Sequence, residues 1–246
     1  MMKKIGLCSV TFRDKSVDEI VDLALENGLN FIEWGGDIHL KPGDFDEARR
    51  IKAHCDKNNI LYSYGSYYKY KDTDDFDLIL ETAAALTAKD IRIWAKRISS
   101  ADISEEDYKI FIKQSKAMAD KAKEKNIRLN FEDHRVTLTD TTKSARKLLD
   151  DIGRDNVYIY WQPQADDSEE ERIQAIKTLH DKITNVHVFN WDQDFNRYPL
   201  IEAKSEWESY IKNLGGDRAY LLEFVKDNSI EQFREDAKVL KEIIGG

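Results

Sequence analysis

Eight short apolar runs, rich in β-branched and aromatic residues, alternate with eight longer amphipathic segments along this chain of 246 residues. The runs are KKIGLCS (3–9), NFIEW (30–34), ILYSYGS (60–66), DIRIWA (90–95), IRLNFE (127–132), VYIYWQ (157–162), ITNVHVF (183–189) and RAYLLEF (218–224). Their onsets recur at intervals of about thirty residues, the size of one strand–helix unit. No Pro-, Gly- or Ser-rich linker interrupts the alternation.

The segments between the runs have helical periodicity, and several begin with residues that cap helices. They lie near 16–27, 44–58, 75–88, 104–125, 140–152, 168–181, 204–214 and 229–244, with caps at Ser16, Asp44, Thr141, Ser168 and Ser229. Eight strand–helix units in about 250 residues predict an α/β fold, a single (β/α)₈ TIM barrel over residues 1–246. The alternative is an open doubly wound sheet, which the absence of GxGxxG after the first strand disfavours.

Composition excludes several classes of protein. Hydrophobic residues make up 41% of the chain, enough to bury a core, so the chain is not expected to be disordered. The 38 basic and 47 acidic residues give a net charge of −9 without a basic stripe, which disfavours nucleic acid as a partner. Two cysteines without CxxC spacing, no signal sequence and no long apolar run lead us to expect a cytoplasmic protein.

Polar side chains lie near the ends of several predicted strands, where TIM barrels carry their chemistry. Alternate residues of a strand share one face, so these side chains can be sorted by parity. Parity predicts that Glu33, Glu132, Gln162, His187 and Glu223 all point into the barrel mouth. The last four come from successive strands, and we expect them to meet in one small volume.

This cluster has the composition of a metal site. Carboxylate oxygens, an amide oxygen and one imidazole suit a divalent ion such as Mn²⁺, Mg²⁺, Co²⁺ or Zn²⁺. A cation would also offset the repulsion between Glu132 and Glu223, one of which would otherwise take up a proton in a partly dry pocket. The alternative is a polar core in which each carboxylate pairs with a nearby cation, for example Arg92, Arg128 or Lys226.

The motifs that surround these residues resemble a known family. They are FIEWGGDIH (31–39), LNFEDH (129–134), NVHVFNW (185–191) and LLEFV (221–225). Over essentially its whole length the chain is similar to the xylose isomerase-like TIM barrels, which include sugar isomerases and epimerases, inosose and 3-dehydroshikimate dehydratases, and endonuclease IV.

The resemblance implies a metal held by Glu132, His187 and Glu223. The family has an aspartate at the sixth strand, where this chain has Gln162, and the histidine that commonly follows is absent. Gln162 can still ligate through its oxygen, but one negative charge is lost. We therefore expect weaker binding or a different ion.

The resemblance and the residue chemistry imply the same reaction. A metal would polarise the carbonyl of a hydroxy-ketone while Glu132 and Glu223 pass a proton as base and acid. We expect a sugar, sugar phosphate or polyol isomerase or epimerase. The alternatives are a dehydratase of the inosose or 3-dehydroshikimate type and a non-catalytic sugar-binding barrel with a degraded metal site. An endonuclease is disfavoured because it would need a denser metal-ligand cluster and a basic face.

Eight residues are candidates for binding substrate, expected to be a small sugar or sugar-like molecule. They are Glu33, His39, Tyr64, Arg92, Trp94, His134, Trp191 and Lys226. Aromatic rings suit the apolar faces of sugars, and Arg92 or Lys226 could meet an acidic group. His39 follows two glycines, which allow close approach of the backbone to a ligand. Core, salt-bridge and surface-loop roles are the alternatives. No membrane partner is expected, and a homo-oligomer is left open.

Overall fold

The eight predicted strands form a closed barrel of parallel strands in chain order. This computed structural model describes residues 3–71 and 74–245. The strands are β1 (Lys4–Cys8), β2 (Phe31–Gly35), β3 (Leu61–Gly65), β4 (Asp90–Ile93), β5 (Arg128–Glu132), β6 (Val157–Trp161), β7 (Ile183–Val188) and β8 (Ala219–Leu222). β8 pairs with β1, which closes the barrel. The predicted (β/α)₈ architecture is confirmed.

A helix follows each strand and packs outside the barrel. The helices are α1 (Val17–Glu26), α2 (Phe45–Lys57), α3 (Phe76–Leu86), α4 (Glu105–Glu124), α5 (Thr142–Ile152), α6 (Glu169–Leu179), α7 (Lys204–Leu214) and α8 (Ile230–Gly245). Ser16, Thr141 and Ser168 cap their helices, as predicted, and each forms a capping box with the residue three positions later. Within the described residues, no helix combines the length and apolar character needed to cross a bilayer.

The core has two parts, as barrel geometry requires. The larger part lies between the strands and the helices and includes Trp34 and Trp161, which parity predicts to face outward. The smaller part fills the barrel interior and contains Cys8, Val10, Phe31, Tyr160, Ala219 and Leu221. The interior is therefore packed rather than hollow, and the inward polar side chains lie at its C-terminal end.

We expect Gly6→Ala to lower the free energy of unfolding by about 2–3 kcal/mol, because β1 and β2 approach closely at this residue. A Cβ at Gly6 would lie 1.9 Å from the carbonyl oxygen of Phe31, and only backbone movement could relieve that contact. Urea denaturation measures the effect. Gly245→Ala is the control, since a Cβ there meets nothing within 4 Å. Equal unfolding midpoints for the two variants would contradict the close approach.

Candidate active site

The structure brings the four predicted metal ligands together around the imidazole of His187, which is fully buried in β7. Its Nδ1 lies 3.3 Å from Oε1 of Gln162 and 3.4 Å from Oε2 of Glu223. The same nitrogen is 3.9 Å from Oε1 of Glu132. Nitrogen and oxygen ligands of one tetrahedral zinc ion are about 3.4 Å apart, so Gln162 and Glu223 lie at ligand spacing from His187, whereas Glu132 lies farther from it.

Strand parity and local hydrogen bonds orient these side chains. Glu132 is the last residue of β5, and Gln162 and Glu223 each follow a strand by one residue. Nε2 of Gln162 donates to the backbone carbonyl of Asp133 at 2.7 Å, which turns Oε1 toward His187. The amide of Gln162 is therefore oriented so that its oxygen, the atom able to bind a cation, faces the cluster.

Gln164, which stands near the position of the family's missing histidine, bonds outside this cluster. Its Nε2 donates to Oδ1 of Asp133 at 2.9 Å. Burial raises the pKa of the Asp133 carboxyl to about 8, and the hydrogen bond from Gln164 opposes that rise. The residues that depart from the family pattern thus form their own polar contact beside β6.

Arg92 of β4 links two of the carboxylates. Its Nε and Nη2 donate to Oε1 of Glu33 at 3.0 and 2.8 Å, and its Nη1 donates to Oε2 of Glu132. Arg92 is 1% exposed, so these contacts are shielded from water. The alternative weighed from sequence, in which Arg92 pairs with a carboxylate, is found for Glu33 and Glu132. Arg128 instead pairs with Asp90, lower in the barrel.

Glu223 does not share the Arg92 pair, and its neighbour is His187. Burial opposes ionisation, but His187 and Arg92 outweigh it and lower the pKa of Glu223. Burial would lower the pKa of His187, whereas the neighbouring Cys8 and Glu223 raise it well above the usual value. Because burial raises the pKa of the Cys8 thiol to about 12, Glu223 is the anionic neighbour at neutral pH.

The charge of the cluster favours a divalent cation. Burial works against ionisation of Glu33, yet Arg92 and His187 lower its pKa to about 2. Counted as carboxylates, Glu33, Glu132 and Glu223 outnumber the two cations, Arg92 and a protonated His187, so the cluster has a net charge of −1, which becomes −2 when a metal displaces the imidazole proton. Nε2 of His187 and Oε2 of Glu33 are buried without a hydrogen-bond partner. The donor set and its charge therefore fit one divalent ion.

Three predicted substrate-binding residues lie at the barrel mouth in aromatic and cationic surroundings. Trp94 and His134 stack with ring centroids 4.3 Å apart, and Nζ of Lys69 lies 4.4 Å from the Trp94 ring. Trp191 stacks on Phe189 at 4.2 Å. Trp94, His134 and Trp191 follow the C-terminal ends of β4, β5 and β7, the end of the barrel that carries the acidic cluster. Their contact with a substrate stays a prediction.

The structure does not bring His39, Tyr64 or Lys226 to the cluster. The hydroxyl of Tyr64 donates to the carbonyl of Leu40, because Tyr64 alternates with the inward Gly65 and faces the helices. Nε2 of His39 lies 3.1 Å from the carbonyl oxygen of Lys15, and its ring meets Trp34 edge-on. Lys226 lines a groove between α1 and α8 on the outer surface.

Sequence reasoning assigned no site role to Cys8 or Arg197, and it considered Tyr67 only as one of several aromatic rings near strand ends. Cys8 ends β1, and one ligand atom each from Cys8, His187 and Glu223 lie within 4.8 Å of one another. Parity places Cys8 on the inward face and could have found it. The Tyr67 ring lies 5.5 Å from the Arg92 guanidinium carbon, and Arg197 lies 4.9 Å from the Phe224 ring. Both are in loops, where parity gives no signal.

Comparison with known proteins yields one family and several relatives. The family described as xylose isomerase-like TIM barrel matches residues 21–243. A 3-dehydroshikimate dehydratase from Bacillus anthracis is 26% identical over 270 residues, covering 96% of each chain. The crystal structure of the probable 3-dehydroshikimate dehydratase of petrobactin synthesis from the same organism superposes with a TM-score of 0.82 at 21% identity, covering 98% of this chain and 99% of that chain.

Two further structures share the fold. An L-ribulose 3-epimerase superposes with a TM-score of 0.79 at 12% identity, covering 99% of this chain and 95% of that chain. The IOLI protein, solved with a zinc atom, superposes with a TM-score of 0.72 at 16% identity, covering 98% of both chains. At these identities the superpositions establish a common barrel.

Proposed function

The chain belongs to the xylose isomerase-like TIM barrel family, and from that premise we propose that it removes a proton beside the carbonyl of a small hydroxy-ketone. The observation that carries the proposal is the convergence of Glu132, Gln162 and Glu223 on His187. Two carboxylates from different strands, both near Nδ1 of one imidazole, provide a base and an acid within one site. Dehydration is the favoured outcome because the dehydratase from Bacillus anthracis aligns over 96% of both chains.

Isomerisation or epimerisation is the second candidate. It needs an acid and a base that reach one carbon from different directions, and Glu132 and Glu223 contact His187 from β5 and β8. Both reactions begin with removal of the same proton. They differ only in whether a hydroxyl group then leaves or the proton returns to the substrate.

Arg92 positions Glu132 for this role. It holds Oε2 of Glu132, which leaves Oε1 on the side of His187. Glu132 and Glu223 are each nearly inaccessible to water, at 4% and 5% exposure. A dry site strengthens electrostatic interactions and keeps a transferred proton from exchanging quickly with bulk water.

One divalent ion is proposed at His187, Glu223, Glu132 and Gln162, with Mn²⁺, Mg²⁺, Co²⁺ and Zn²⁺ as candidates. The structure of the IOLI protein, which has the same fold, was solved with a zinc atom, which supports a metal ion in this fold. When bound, such an ion would supply Lewis-acid polarisation of the substrate carbonyl. Gln162 would contribute a neutral oxygen, and the two glutamates would contribute the negative charge.

We expect metal-loaded protein to convert 3-dehydroshikimate to an aromatic product with loss of one water. Removal of the proton beside the carbonyl and departure of the β-hydroxyl leave a dienone that tautomerises to a dihydroxybenzoate. Ultraviolet absorbance follows the product, and mass spectrometry in D₂O detects exchange at the acidic carbon. Ketohexoses are assayed in parallel, because exchange or a new epimer without water loss would favour the isomerase.

His187→Ala should abolish the reaction, and His180→Ala is the matched control because His180 is exposed at the end of α6. Chelation by EDTA should also abolish turnover, and added metal should restore it. If metal-loaded wild-type protein shows neither water loss nor deuterium exchange with these substrates, the proton-transfer proposal is wrong. Chelator-insensitive sugar binding would then support a non-catalytic barrel.

A further inference from the structure

We propose that Cys8 is a ligand of the metal, and that its thiolate makes the site select Zn²⁺ or Co²⁺ over Mn²⁺ or Mg²⁺. The inference rests on the metal site proposed above and names one more of its ligands. In this chain β1 would supply the negative charge that the amide of Gln162 does not carry.

The position of Cys8 follows from the closure of the barrel. Cys8 of β1 pairs with Glu33 of β2, and the preceding residue, Leu7, pairs with Leu222 of β8. Cys8 therefore lies between the strand that carries Glu33 and the strand that leads to Glu223. Its side chain is fully buried. Although Cys8 and His187 are 179 positions apart in the sequence, the two side chains lie close together inside the barrel.

Within residues 3–71 and 74–245, one group of three His, Cys, Asp or Glu residues has ligand atoms that all lie close enough for a single ion. The group consists of Cys8, His187 and Glu223. These atoms are within 4.8 Å of one another. Glu132 is held by Arg92, and Gln162 is neutral with its nitrogen bonded to Asp133. The geometry thus favours Cys8 as the third strong ligand of the site.

Two buried atoms support an additional occupant next to this group. Nε2 of His187 and Oε2 of Glu33 have no hydrogen-bond partner. A buried polar atom without a partner costs about 1–3 kcal/mol, so native structures rarely leave one unsatisfied. Nε2 lies 3.6 Å from Oε1 of Glu33, the residue that pairs with Cys8 in the sheet, so an ion bound by Nε2 beside these residues would give both orphaned atoms a partner.

Sulfur is the basis of the expected metal preference. A thiolate is a soft ligand that favours zinc and cobalt, whereas magnesium and manganese prefer oxygen donors. When the ion binds, the thiol proton leaves to solvent and the sulfur forms the metal bond. Thiolate, imidazole and carboxylate ligands leave one tetrahedral position for Glu132, Gln162 or a substrate oxygen.

The competing explanation is that Cys8 is only a small residue of the apolar interior, where it packs with Phe31, Tyr160 and Leu221.

Co²⁺ titration of the full-length protein without added thiols separates the two explanations. A cobalt–thiolate bond gives a charge-transfer band in the near ultraviolet that oxygen and nitrogen ligands do not give. We expect this band in wild-type protein and in Cys55→Ser, and its loss in Cys8→Ser. Cys55 is a matched control because it is also a buried free cysteine, but in α2.

Competition with Zn²⁺ gives a second readout. We expect Cys8→Ser to lower zinc affinity by at least about 10–100-fold, with a much smaller change in Mn²⁺ affinity. X-ray absorption of zinc-loaded wild-type protein should show one sulfur neighbour at about 2.3 Å, a measurement that needs no variant to fold.

The outcomes distinguish this inference from the proposed function. Cobalt bound by wild-type protein without a thiolate band, or with a band that Cys8→Ser retains, would overturn the role of Cys8 and leave the metal proposal intact. Wild-type protein that binds neither Co²⁺ nor Zn²⁺ would overturn both. A band that is present in wild-type and Cys55→Ser protein and absent in Cys8→Ser establishes Cys8 as a ligand.

Discussion

Glu223→Gln is expected to lower kcat/KM by about 10³-fold or more on whichever substrate the wild-type protein converts. The amide keeps the shape of the side chain but can neither accept a proton nor supply charge to a cation beside His187. General acid–base groups contribute about 10²–10⁴-fold, and loss of metal affinity adds to that effect. Steady-state kinetics at saturating metal measures the loss.

Glu202→Gln is the control for this substitution, since Glu202 is an exposed glutamate after β7. It should retain wild-type kinetics. Elemental analysis of both variants shows whether the lost activity of Glu223→Gln comes with lost metal. Activity of Glu223→Gln within about tenfold of wild type would contradict the proton-transfer role and the ligand role together.

Arg92→Met is expected to lower the free energy of unfolding by about 3–5 kcal/mol, the second large effect. The substitution keeps most of the volume but leaves Glu33 and Glu132 buried without their cation. Urea denaturation at neutral pH measures the loss. Arg146→Met is the control, because Arg146 pairs with Asp150 and Asp181 on the exposed surface and should lose no more than about 1 kcal/mol.

The ion pair between Arg92 and Glu33 also predicts the direction in which the free energy of unfolding changes with pH. Burial alone would raise the pKa of Glu33, but the contacts with Arg92 and His187 hold it at about 2, below the usual glutamate value. The pair therefore stabilises the fold above the usual pKa, and this stabilisation is lost as the pH falls toward about 2. The stability difference between wild type and Arg92→Met should shrink on acidification. Equal stability of the two at neutral pH would contradict the buried pair.

Family membership and the local chemistry both place the proposed metal site at the C-terminal end of the barrel. One of the proposed ligands there, Gln162, differs from the residue that the family resemblance implies. Gln162 stands where the resemblance implies an acidic residue, and its amide nitrogen donates to the backbone carbonyl of Asp133. One ligand atom of Cys8 lies within 4.8 Å of those of His187 and Glu223, and its thiolate is able to supply charge. Metal identity and substrate turnover are therefore best measured on the same preparations, with Cys8→Ser beside the wild type.

The sequence by itself determined the barrel and the inward direction of its polar side chains. Both depend on local periodicity: alternation decides which face of a strand Glu132, His187 or Glu223 occupies, and the repeated strand–helix unit leads to closure. The same rule placed Trp34 and Trp161 toward the helices, where the structure has them.

Only the tertiary structure decided which inward side chains touch. Arg92 could have met substrate, but across the barrel it meets Glu33 and Glu132. Cys8 meets His187 and Glu223 only because β1 closes on β8. Loop residues such as His39 and Lys226 could not be placed by parity, because irregular backbone has no fixed period. Whether a side chain points inward or outward is a local property of its strand, so it could be predicted from the sequence. Which side chains contact one another depends on strands far apart in the chain, so those contacts could not.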